Sequence, residues 1–164
     1  MCNRLLTALK LETNLTKVYK NLGIAYSKQG RLDEAIRAYL TALKLRPDDA
    51  GGYFNLGFTY FKQGRLNEAI RAYQTVLRLR PDFVEAHYNL GLAYFKQGQF
   101  DEAIRAYLST LKLIPDDFEV HYNLGIAYWK KGLEDKAYKE LEIALKLQPD
   151  YLPAKQALES LRRR

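Results

Sequence analysis

The chain has 164 residues, enough for a single domain with a continuous core, and its 48% apolar and 27% charged residues are those of an ordinary soluble globular protein. One cysteine and two histidines exclude an internal disulfide and a Cys/His metal cage, and no cofactor is expected. The net charge of +7 favours acidic partners without the basicity that would point to nucleic acid, and no stretch approaches the roughly 18 apolar residues of a membrane span.

Residues 1–15 are expected to form a partial repeat, a lone helix. Leu5-Leu6-Thr7-Ala8-Leu9-Lys10-Leu11 echoes Tyr39-Leu40-Thr41-Ala42-Leu43-Lys44-Leu45, so the chain opens on what reads as the second helix of a preceding repeat. Asn3, Arg4, Thr7 and Lys10 interrupt the apolar run, which lacks a signal-peptide core and cleavage site. With Cys2 unpaired, a cytoplasmic location is the expectation. Having lost a covering neighbour, Leu5, Leu6 and Leu9 would stay partly exposed. That suggests an alternative role as a self-assembling scaffold, a homo-oligomer in which copies stack head to tail through this helix.

From residue 16 the sequence repeats with a period of 34. Pro47, Pro81, Pro115 and Pro149 keep that spacing, as do Gly23, Gly57, Gly91 and Gly125, then Gly30, Gly64, Gly98 and Gly132, then Ala35, Ala69, Ala103 and Ala137. The units are 16–49, 50–83, 84–117 and 118–151. Each reads as two short helices. In 50–83, Tyr53, Leu56, Gly57 and Tyr60 recur at helical spacing, and Ala69, Ile70, Tyr73, Val76 and Leu77 form the inner face of the second helix. Gly64 suits a left-handed cap between them, Pro81 stops the second helix, and Gly57 with Ala69 lets the two approach closely. Asn67, like Asp33, Asp101 and Asp135, suits the start of the second helix, where free amides and the helix dipole favour such side chains. His87 and His121 sit at core-facing aromatic positions, and Leu141 replaces the second-helix aromatic in the fourth unit. Residues 152–164 read as a capping helix, with Leu152, Ala154, Ala157, Leu158 and Leu161 inward and polar residues outward, ending in the loose tail Arg162-Arg163-Arg164.

Tyr19-x2-Leu22-Gly23-x2-Tyr26, then Ala35-x3-Tyr39, then Pro47 resembles the tetratricopeptide (TPR) pattern, with Tyr in place of its Trp and Phe. The resemblance covers nearly the whole chain, residues 1–164 being one TPR domain. It implies an all-α fold, a right-handed α-α superhelical solenoid of helix hairpins. It also implies a scaffold for protein–protein interaction, not an enzyme, whose first helices line a concave surface for a partner's peptide.

On that reading three stripes face the groove. Asn21, Asn55, Asn89 and Asn123 form a ladder that resembles the one in O-GlcNAc transferase TPR arrays; each amide both donates and accepts, and so can read a peptide backbone. Lys28, Lys62, Lys96 and Lys130 form a rail suited to acidic side chains or a terminal carboxylate. Phe54, Phe58, Phe61, Tyr88, Phe95, Tyr122 and Trp129 form an aromatic stripe, either a binding surface or packing for the neighbouring repeat. The partner would be a protein or peptide with acidic and aromatic anchors. The carboxylate clamp of chaperone-adaptor TPRs is excluded. Lys20 and Asn55 match it, but Ile24, Glu85 and Asn89 stand where Asn, Lys and Arg are required.

No phosphate-cradling glycine loop or activated nucleophile emerges. Arg37, Arg71 and Arg105 contribute to a basic stripe on the second helices, but Glu34, Glu68 and Glu102 lie three residues before them. Local pairing is therefore expected in place of nucleic-acid contact.

Overall fold

The computed structural model of the protein describes the backbone of residues 2–163 and the side chains of residues 10–163. Among the described residues the regular structure is all helical: α1 (Cys2–Lys28), α2 (Leu32–Leu45), α3 (Ala50–Lys62), α4 (Leu66–Leu79), α5 (Val84–Lys96), α6 (Phe100–Leu113), α7 (Phe118–Lys130), α8 (Glu134–Leu147) and α9 (Leu152–Arg162). The chain divides into two compact units, one ending at Pro81 and the other beginning at Asp82.

The punctuation works as the sequence predicts. Gly30, Gly64, Gly98 and Gly132 all have φ between 74° and 76°, the left-handed turn that closes each first helix. Each second helix stops two residues before its proline. Asp49 caps α3 by accepting from the Gly52 amide at 3.1 Å, and Asp117 caps α7 by accepting from the amides of Glu119 and Val120.

The opening differs. A separate helix over residues 1–15 is expected, but α1 is one 27-residue helix running through that boundary. The reason is local. One period before Pro47-Asp48-Asp49 stand Thr13-Asn14-Leu15, which contain neither the proline that stops a second helix nor the aspartate that caps the next first helix. The side chains of Cys2, Leu5, Leu6 and Leu9, and Arg164 at the other end, lie outside the described residues. The second helices begin after Arg31, Arg65, Gln99 and Leu133, so Asp33 and Asp101 lie in the first turn, at the N-terminal end as expected, without a side-chain cap bond at the residue that opens each helix. Their carboxylates reach sideways instead: Asp33 accepts from Gln63 Nε2 at 2.9 Å, and Asp101 pairs with Lys131.

In the first unit α1 packs on α2, α2 on α3 and α3 on α4. The core there gathers Ala35, Ile36, Tyr39, Leu43 and Leu56, with Tyr26, Tyr53 and Tyr60 packed against it. In the second unit α5 to α9 pack in sequence. One core there holds Ala103, Ile104, Tyr107, Val120, Leu124 and Ala127; another holds Leu141, Ala144, Ala154, Ala157 and Leu158. Burying each large apolar side chain contributes about 1.5–3 kcal/mol. The hairpins close tightly because glycine faces the largest ring: a Cβ at Gly91 would stand 2.5 Å from Tyr107 Cε1. Tyr107 is 1% exposed, and burial pushes its phenol well above the ordinary tyrosine range.

Candidate functional site

In the first unit the predicted face lies on α1 and α3. Asn21 and Lys28 are exposed on α1. Lys20 beside them is not available to a ligand as a free cation, because its Nζ donates to Asp49 Oδ2 at 2.7 Å. Burial raises the Asp49 carboxyl, but the Lys20 bond and the helix amides of Gly52 and Gly51 outweigh it and hold the group below the ordinary aspartate value. This joint ties α1 to the start of α3.

On α3, Phe54 and Phe61 are half-buried, Phe54 with its ring 5.9 Å from that of Tyr73. Asn55 is also half-buried. Phe58 is different. It is 38% exposed, and Lys62 Nζ lies over its ring at 4.9 Å from the centroid. The lysine leaves the ring partly open and puts a positive charge beside it, a combination of apolar surface and cation.

In the second unit the face lies on α5 and α7, and its aromatic residues turn inward. Tyr88 and Phe95 pack against the α6–α7 core. Phe95 meets Phe100 edge-on at 5.4 Å, and Tyr88 lies 6.2 Å from Tyr107. Burial first and the nearby Glu119 charge second push the Tyr88 phenol up to about 12. Tyr122 and Trp129 pack against the core around Leu141 and α9, and Tyr122 meets Tyr151 edge-on at 5.2 Å. The asparagines are engaged as well: Asn89 Nδ2 donates to the Glu85 carbonyl at 2.7 Å, and Asn123 Nδ2 donates to Tyr88 Oη at 3.0 Å. Lys96 and Lys130 are exposed at the ends of their helices. Of the two expected fates of the aromatic stripe, packing against the next element describes Tyr88 and Phe95, against α7 of the next repeat, and Tyr122 and Trp129, against the core shared with α9, and exposure describes Phe58.

Two polar arrangements escaped the sequence reading. His121, buried as expected, is not a plain filler: Nδ1 lies 2.7 Å from Glu140 Oε2 and Nε2 lies 2.8 Å from the Pro115 carbonyl. The signal was present, since Glu140 occupies the position held by Ala38, Ala72 and Ala106 in the other hairpins. The second concerns the arginine–glutamate pairs. Glu34 and Glu68 were expected to pair with Arg37 and Arg71, but each bonds the arginine three residues before it, Arg31 at 2.9 Å and Arg65 at 2.8 Å. Only Glu102 pairs forward, with Arg105 at 2.9 Å, because Gln99 replaces the preceding arginine there. Arg31 and Arg65 also lie over the rings of Tyr26 and Tyr60, which fixes them for the pairing.

The family described as TPR repeat matches residues 25–64, 59–98 and 91–132, and the one described as tetratricopeptide repeat matches residues 118–151. The chain belongs to the tetratricopeptide repeat family. Its fold is accordingly an all-α solenoid of TPR hairpins, and it is a scaffold for protein–protein interaction. Among solved structures it is similar to the crystal structure of MamA protein, with 30% identity and a TM-score of 0.88 over 92% of this chain and 82% of that one. MamA from Desulfovibrio magneticus RS-1 agrees in fold, at 24% identity and a TM-score of 0.87 over 90% of this chain and 84% of that one. The APC/C hetero-tetramer Cut9-Hcn1 matches 87% of this chain with 29% of its own, at 25% identity and a TM-score of 0.77. No curated protein matched. Among the described residues no helix is long and apolar enough to cross a membrane, and no group of three or more His, Cys, Asp or Glu is placed to hold a metal ion.

Proposed function

We propose that this TPR scaffold binds a peptide segment of a partner protein on its first-helix faces, with the α3 face of the first unit as the main anchor. The observation that carries this reading is Phe58. In a family whose aromatic residues fill hairpin cores, this ring is left 38% exposed beside the Lys62 ammonium. Exposed aromatic surface next to a fixed cation suits a peptide that offers an apolar side chain with a carboxylate close by. Asn55, one turn earlier on the same helix, supplies an amide for the peptide backbone. In the same unit Lys28 adds attraction for an acidic flank and Asn21 offers a further amide; on the second unit's own face Lys96, Lys130, Asn89 and Asn123 offer the same kinds of group.

The test is capture from a peptide library displaying apolar residues in acidic and basic contexts, by the parent chain and by Phe58→Ala and Lys62→Ala variants. The reading expects acidic-apolar peptides to be retained by the parent, lost with Phe58→Ala, and weakened in a salt-dependent way with Lys62→Ala. Equal capture by all three chains would refute it.

A further inference from the structure

The first helix carries an uncovered apolar stripe. Leu11, Leu15, Val18 and Leu22 are 67%, 41%, 58% and 38% exposed. They follow one another at intervals of four, three and four residues, the spacing that keeps a seam on one side of a helix. The corresponding positions elsewhere are covered. One period later than Val18 and Leu22 stand Gly52 and Leu56, buried where α3 packs on α2; a Cβ at Gly52 would meet Leu43 Cδ2 at 2.9 Å. Val120 and Leu124 are likewise buried, at 2% and 0% exposure, where α7 packs on α6. This face of a first helix is thus built to receive another helix, and on α1 none of the described residues supplies one.

We infer that the α1 stripe is covered by the α1 stripe of a second copy of this chain, running antiparallel. Three features select that occupant. The 4-3-4 spacing is self-complementary when reversed: Leu11 of one copy faces Leu22 of the other, and Leu15 faces Val18, so all four exposed apolar residues are used twice over by one two-fold axis. The flanks of this seam carry no facing like charges. Glu12 comes opposite Tyr19 and Asn14 opposite Asn21, while Lys10 and Lys17 stand off the seam. Finally, α1 is one unbroken helix through residues 11–22, so the four residues share one seam, because Thr13-Asn14-Leu15 stand where the other repeats have a turn. The head-to-tail alternative fits less well. Leu152, expected to point inward, is 59% exposed at the start of α9, but the rest of that outward face is Lys155, Gln156, Glu159 and Arg162, and covering α1 with it would bury charge against leucine and valine.

This pairing is separate from the peptide-binding reading and is tested separately, by sedimentation equilibrium of the full chain over a range of concentrations. The parent is expected to form a dimer and nothing larger. Val18→Glu places two carboxylates at the centre of the seam and should weaken the dimer by roughly 100-fold or more while leaving the helical circular dichroism unchanged. Phe58→Ala should dimerise as the parent does. A Leu15→Cys/Val18→Cys variant, in a Cys2→Ser background, should become a disulfide-linked dimer under mild oxidation. A parent that stays monomeric, a dimer indifferent to Val18→Glu, or an open series of larger species would each overturn the inference.

Discussion

The first-helix faces of the two units start from the same sequence pattern and end with different chemistry. In the second unit Tyr122 and Trp129 are drawn into the core completed by α9, and Tyr88 is drawn under α6, where its hydroxyl accepts from Asn123. In the first unit Phe58 holds a solvent-facing position, with Lys62 above its ring. Phe54 and Phe61, which share the registers of Tyr88 and Tyr122 and of Phe95 and Trp129, are half-buried as those rings are, whereas Phe58 stands where the second unit has Leu92 and Ile126. A ring on a repeat face is open to a partner only where no neighbouring element covers it, and the proposed recognition rests on this one.

The comparison breaks most visibly under truncation. Trp129→Ala should destabilise the second unit by about 2–4 kcal/mol, because its ring packs beside Leu141 and Leu158, whereas Phe58→Ala should change the melting temperature little. Thermal denaturation of both variants checks this; equal losses would remove the contrast. Next in size is Gly91→Ala. The new methyl would meet the buried Tyr107 ring, and an overpacking cost of about 1–3 kcal/mol is expected by chemical denaturation.

A smaller effect concerns the joint between α1 and α3. Asp49→Ala removes the cap and the Lys20 pair together and should cost about 1–2 kcal/mol. Because the folded carboxyl is held below its ordinary value of 3.8, the stabilisation is fully present above that value. It is lost as the pH falls through the lower folded value. The stability gap between parent and variant, measured against pH, should therefore be constant near neutrality and shrink only in strong acid. The smallest effect is Gln99→Arg, which restores the arginine of the first two second helices. Glu102 should turn from Arg105 to the new side chain, visible in a crystal structure, with no measurable change in melting temperature.

Much of this was legible in the sequence. The 34-residue period set the hairpins, the four left-handed glycines and the proline stops, because each depends on one residue type at one position. The fusion of residues 2–28 into one helix rests on the absence of Pro and Asp at residues 13–15, which the sequence shows, although residues 5–11 echo a second helix that elsewhere ends in a turn. The site was less legible. Periodicity puts a ring at Phe58 where Leu92 and Ile126 stand in the later repeats, which the sequence shows, but that this ring stays exposed while Phe54 and Phe61 on the same helix are half-buried is a tertiary matter. Glu34 and Glu68 each have an arginine three residues away on both sides, so the i, i+3 rule alone does not choose between them; the arginine that lies over Tyr26 or Tyr60 is the one taken.

The central claim is that Phe58 is the anchor of a peptide-binding face. Its most direct test is equilibrium titration of a peptide captured by the parent, followed by fluorescence anisotropy, against the parent and Phe58→Ala at matched folded concentration. The account predicts a loss of affinity of roughly 30-fold or more, about 2 kcal/mol, with unchanged circular dichroism. Unchanged affinity in Phe58→Ala would contradict it and move recognition away from the first unit's α3 face.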